Sequence, residues 1–73
     1  MATAEQVDYV AQIGETAGVV WKALSDSGPL SLAQVVKKVR QPRDTVMQAL
    51  GWLAREDKIV MEDEGRSRIV ALR

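Results

Sequence analysis

The 73-residue sequence contains no cysteine and no histidine. Without cysteine there is no disulfide and no thiolate metal site, and a reducing compartment suits the chain. Without histidine the commonest general base and the commonest metal ligand are missing. Long apolar runs are absent as well. The longest, such as Ala17–Trp21, span about five residues, too few for a membrane span or a signal peptide, so a cytoplasmic chain is expected. Net charge is the last absence: ten basic residues cancel ten acidic ones. A dedicated nucleic-acid binder usually carries a strongly basic domain, so this balance counts against that role.

What remains is one small domain. A chain of this size buries only about 60% of its extended surface. At roughly 0.05–0.15 kcal/mol per residue its stability should be about 4–11 kcal/mol, and association with a partner would add to it. The charges are unevenly spread. Residues 1–30 carry one lysine against four acids, whereas residues 31–43 carry Lys37, Lys38, Arg40 and Arg43 and no acid. Residues 44–57 set Arg55 against Asp44, Glu56 and Asp57. The chain therefore has one short basic stripe.

Apolar periodicity predicts three helices. Ile13, Ala17, Val20 and Leu24 share a helix face over Ile13–Ser25, and Tyr9 and Val10 join it if the helix extends backwards. Residues 1–11 read as a loose N-terminal tail or helix extension, and residues 12–73 as the domain. Gly28-Pro29 ends the first helix. Ser31 and Gln34 fit a capping box that opens a second helix running to about Arg40, with Leu32, Val35, Val36 and Val39 inward. Pro42 suits the first position of a third helix, Arg43–Glu56, whose core stripe is Val46, Ala49, Leu50 and Leu53. Two β-type runs follow, Lys58–Glu62 and Ser67–Leu72, around a loop Asp63–Arg66. That loop pairs Val60 with Ile69 and Ile59 with Val70. Ile59, Met61, Val70 and Leu72 then share one face, and Val60, Ile69 and Ala71 the other. The second face needs a cover, either a partner or residues Val7–Val10.

Three helices followed by a two-stranded β-hairpin wing make an α+β winged helix-turn-helix domain, to which Pro29-Leu30 can add a minimal strand. Ile13-Gly14-Glu15-Thr16-Ala17-Gly18 followed by Trp21, together with Ala49–Ile59, resembles a family of small bacterial winged helix-turn-helix domains of unknown function. The resemblance covers about residues 12–72. It implies the fold and no activity.

Catalysis finds little support. Ser25, Ser27, Ser31 and Ser67 have no histidine to activate them, and no phosphate loop or dinucleotide fingerprint is present. Glu62, Asp63 and Glu64 offer oxygen ligands for a weakly held cation, but a solvated turn explains them better. No enzyme activity, cofactor, membrane or small-molecule partner is expected. Two binding readings remain. For DNA, Lys37, Lys38, Arg40 and Arg43, with Arg66 and Arg68 from the wing, are candidate phosphate contacts. Against it, the outward side of the third helix presents Gln48, Gly51 and Arg55, flanked by Met47 and Trp52, and Asp44 sits in its first turn.

The same surface suits a polypeptide better. Gly51 lets another backbone approach, Trp52 and Met47 border the notch, and Gln48 and Arg55 supply polar contacts. The favoured expectation is a homodimer in contact through Met47, Gln48, Gly51, Trp52 and Arg55, with another protein as an alternative partner. Trp21 is assigned to the core, and Gly14 and Gly18 to close packing within the chain. Trp52 either anchors the interface or folds back onto its own core or onto the hairpin.

Overall fold

A computed structural model describes residues 8–73. The order of elements is α1 (Tyr9–Ser27), β1 (Leu30–Ser31), α2 (Leu32–Val39), α3 (Arg43–Arg55), β2 (Ile59–Glu64) and β3 (Ser67–Leu72). The expected winged helix-turn-helix is therefore present, with one strand more than the bare hairpin. Residues 1–7, and with them the seat considered for Val7, lie outside the described residues.

Local signals account for most boundaries. The Asp8 carboxylate accepts the Ala11 amide at 3.0 Å and starts α1 four residues before the run of apolar periodicity. Gly28 ends it with φ 79°, in a region that favours glycine. The Ser31 hydroxyl accepts the Gln34 amide at 3.1 Å, and the Gln34 side chain accepts the Ser31 amide at 2.8 Å, so both halves of the capping box form. Arg40 closes α2 in the left-handed conformation. Pro42 stands one residue ahead of α3, at the N-cap, and not at its first helical position. At the other end Asp57 takes φ 62°, and Lys58 donates to Leu53 O at 2.9 Å. This Schellman-type turn swings the chain from α3 straight into β2.

The sheet order is β1-β3-β2, all antiparallel. The hairpin register differs from the sequence expectation. Ile59 faces Leu72 and Val60 faces Ala71, while Glu64 faces Ser67 across a two-residue Gly65-Arg66 turn. Gly65 has φ 60° and occupies the first central position, where a tight hairpin favours glycine. The expected four-residue loop was too long by two. Because the slip is an even number, each side chain keeps its face. Ile59 and Val70 are buried, Leu30 and Leu72 pack against them, and Val60, Ile69 and Ala71 are half-buried on the other side. Val10 does not cover that second face, since it is 63% exposed.

The core joins Ala17, Val20 and Leu24 of α1 to Val35 and Val39 of α2, and Val46, Ala49, Leu50 and Leu53 of α3. Each fully buried Val or Leu contributes about 1.5–3 kcal/mol. Among the described residues no buried side-chain nitrogen or oxygen lacks a hydrogen bond, and no helix is long and apolar enough to cross a membrane.

Candidate functional site

Two concavities flank α3, one apolar and one charged. The apolar one runs between α1 and α3. Gly14, Ala17, Gly18 and Trp21 form its α1 wall, and Trp52, Leu53 and Lys58 form the other. It holds about 290 Å³. Trp21 was assigned to the core and is instead 44% exposed. The reason is angular. At about 100° per residue, Gly14, Gly18 and Trp21 share a face that lies beside, not within, the stripe Thr16–Val20–Leu24. The two glycines were expected to serve close packing within the chain. Among the described residues a Cβ added at either would meet no atom of another element within 4 Å, so none of them fills the space they leave. Trp52, 40% exposed, leans over this gap from α3. Its ring is neither fully solvated nor folded into the core.

The other residues named on α3 do not line that groove. Met47 is partly buried against the core. Gln48, Gly51 and Arg55 are exposed on the outer side of the helix, as is Asp44. Gly51, like Gly14 and Gly18, has open space where a side chain would go. The interface residues inferred from sequence thus divide between two flanks of α3, and Trp21, Gly14 and Gly18 join Trp52. The signal was in the sequence as the Gly14–Gly18–Trp21 spacing. Its neighbour across the groove was not.

The charged concavity, about 520 Å³, opens between the first turn of α2, the start of α3 and the wing. Ser31, Leu32 and Ala33 line it on one side and Arg43 on another, with Asp63, Gly65, Arg66, Ser67 and Arg68 on the wing. Arg68 Nε donates to Asp63 Oδ1 at 2.9 Å, and this bond, with the carboxylate charge, raises the guanidinium pKa above its ordinary value. Arg43 and Arg66 form no ion pair among the described residues. The six candidate phosphate contacts are therefore split. Arg43, Arg66 and Arg68 meet in the cleft. Lys37 and Lys38 border a shallower hollow with Leu30 and Gln34, and Arg40 caps α2.

Strand alternation also separates the acidic residues of the wing. Asp63 shares a face with Arg68, its cross-strand partner, whereas Glu62 and Glu64 point to the opposite side. The cation-binding triplet considered from sequence does not form, and no cluster of metal-ligating residues exists among the described residues.

Comparison with known proteins agrees with this architecture. The chain is 38% identical over 69 residues to the uncharacterized protein MJ1608 of the archaeon Methanocaldococcus jannaschii, covering 90% of this chain and 97% of that one. The solution NMR structure of protein BT2368 from Bacteroides thetaiotaomicron superposes with a TM-score of 0.76 at 32% identity, covering 85% of this chain and 76% of that one. Relatives thus occur outside bacteria as well. The family model described as Winged helix-turn-helix domain (DUF2582) matches residues 8–72. The chain belongs to this family.

Proposed function

We propose that the domain is a non-enzymatic protein-interaction module that associates with a second copy of itself through the face where α1 meets α3. The observation that carries this reading is the pair of half-exposed indoles, Trp21 and Trp52, on the walls of one unfilled groove. Large aromatic side chains at the rim of a pocket are the usual anchors of protein interfaces. A monomer would leave this apolar area in water and gain nothing from it. The surface is also self-complementary in kind, because the same face offers both a ring and a notch, as a two-fold contact requires.

Sedimentation equilibrium tests the reading. The wild-type chain should run as a dimer, and Trp52→Ala as a folded monomer with unchanged helical circular dichroism. A wild-type chain of single-chain mass at every concentration would overturn it.

A second reading is favoured by the cleft. Arg43, Arg66 and Arg68 converge there although the whole chain is neutral. This supports regulation through the phosphate backbone of DNA, which the wing and the start of α3 would grip. The outer face of α3, with Asp44 among Gln48, Gly51 and Arg55, offers little for reading bases. Titration with a DNA duplex should shift the amide signals of Arg43 and Gly65–Arg68 at low salt and release them at high salt. Unmoved signals at low salt would remove this second reading.

A further inference from the structure

The first two turns of α1 have no place in the monomer core. All four buried residues of the helix lie at Thr16 or beyond, so Tyr9–Glu15 projects about 10 Å, with Ile13 half-buried and Tyr9 and Val10 uncovered. Tyr9 and Val10 are among the most exposed large apolar residues, at 62% and 63%. A helix end of this kind is marginal in water unless something packs on it. Val10 lies on the face that carries Gly14 and Gly18, one turn and two turns further along, and then Trp21, whereas Tyr9 points to the side of Thr16 and Val20. A projecting apolar helix end and an empty apolar groove are therefore adjacent parts of one surface.

We infer that the occupant of the groove is the first part of α1 from a second copy, laid antiparallel across the glycine face with the two-fold axis at Gly14. This rests on the self-association reading above and specifies its geometry. The register follows from the axis. Gly14 meets the partner's Gly14, and Val10 meets the partner's Gly18, twice over by symmetry. The branched Val10 side chain fills the space that Gly18 leaves, and absence of a side chain at Gly14 lets the two helices close to the short end of the usual 8–10 Å separation. Trp21 and Trp52 then cover the flanks of the inserted helix. The glycines alone would not identify this contact. It is the uncovered helix end and the two indoles that give them an occupant.

Charge agrees. The segment Asp8–Trp21 carries Asp8 and Glu15 and no basic residue. Among the described residues Lys58 is the sole charged one lining the groove, and it forms no ion pair there. An acidic helix end thus enters a groove whose one charge is positive. The two helix dipoles are also antiparallel.

The absence of native cysteine makes the register directly readable. Gly14→Cys should form a covalent dimer under mild oxidation, because only a two-fold at this residue brings the two Cα atoms within the roughly 4.4–6.8 Å that a disulfide spans. Val10→Cys mixed with Gly18→Cys should give mainly the mixed disulfide, and Arg43→Cys none. Gly18→Leu should fold normally and weaken association at least tenfold. A chain that sediments as a dimer yet forms no disulfide at position 14 or between 10 and 18 would overturn the α1 register and leave self-association standing. A chain that stays single at all concentrations would overturn both.

Discussion

The two concavities beside α3 are built in opposite ways. The α1–α3 groove is made of what is missing: two glycines with nothing across from them and two indoles not fully covered. The cleft under the wing is made of what has been gathered: guanidinium groups from residues 43, 66 and 68, more than twenty positions apart at the extremes, with one acid holding one of them. The difference matters for energy. An apolar groove gains from any partner that displaces its water, in proportion to area and with little dependence on salt. A solvated cationic cleft gains only from a matching anion, and salt weakens it. The two also sit at different ends of α3, Trp52 near its C-terminus and Arg43 at its start. Occupying one therefore leaves the other open, and a dimer built on α1 would display two clefts.

The largest expected effect bears on the core that supports both surfaces. Leu24→Ala removes a side chain that is 2% exposed beneath the helical layer. The cavity should cost about 2–5 kcal/mol, a large part of the total stability expected for a chain of this size. Urea unfolding would measure it, and the contacts proposed at the groove and at the cleft should weaken together. A loss below about 1 kcal/mol would mean the packing around Val20 and Leu24 is looser than described. Trp52→Ala separates the surfaces. As an interface anchor it should cost association about 2 kcal/mol or more, roughly thirtyfold in dissociation constant, while anion binding at the cleft is unchanged. Loss of both would show that the groove and the cleft are coupled.

How much of this was legible beforehand depended on the range of the interaction. Capping residues and helix breaks act within four positions, so Ser31, Gln34 and Gly28-Pro29 placed their boundaries directly. Asp8 carries the same kind of signal, but it stands well ahead of Ile13, where the unbroken apolar periodicity begins. The hairpin register was misread because Glu62, Asp63 and Glu64 look like loop. Beyond Met61 the hairpin has left the core, no buried side chain fixes the pairing, and the Gly65-Arg66 turn and the exposed Asp63–Arg68 pair hold it. The face of α1 bearing Gly14, Gly18 and Trp21 was evident as a pattern. Its fate was not, since periodicity gives the direction of a stripe and not what stands opposite it. The cleft was the least visible feature, because only the fold-back of the wing brings Arg66 and Arg68 to Arg43.

The cleft has its own test. Replacing Arg43 and Arg66 together by Ala should lower DNA affinity and reduce the slope of log K against log salt by about 2, near 0.9 per lost phosphate contact. Sedimentation of the same variant should match wild type. An unchanged salt slope would show that these cations do not meet phosphate. Arg68→Ala alone should do less, because Asp63 already holds that guanidinium.

The smallest effect is also the most telling for the groove. Glycine inside a helix is destabilising by roughly 0.5–1 kcal/mol relative to alanine, because the unfolded chain has more freedom to lose. Where a glycine allows a close contact within the fold, alanine forfeits that gain through a clash. Among the described residues no such contact exists at Gly18, since an added Cβ meets nothing within 4 Å beyond its own helix. Gly18→Ala should therefore make the isolated domain more stable by about 0.5–1 kcal/mol, read by urea unfolding at concentrations low enough to keep it single. If the partner's Val10 uses that space, the same substitution should weaken the dimer. The two measurements must move in opposite directions. A variant gaining stability with association intact would place the partner elsewhere, and one losing stability as a monomer would mean that the space at Gly18 is already in use within the chain.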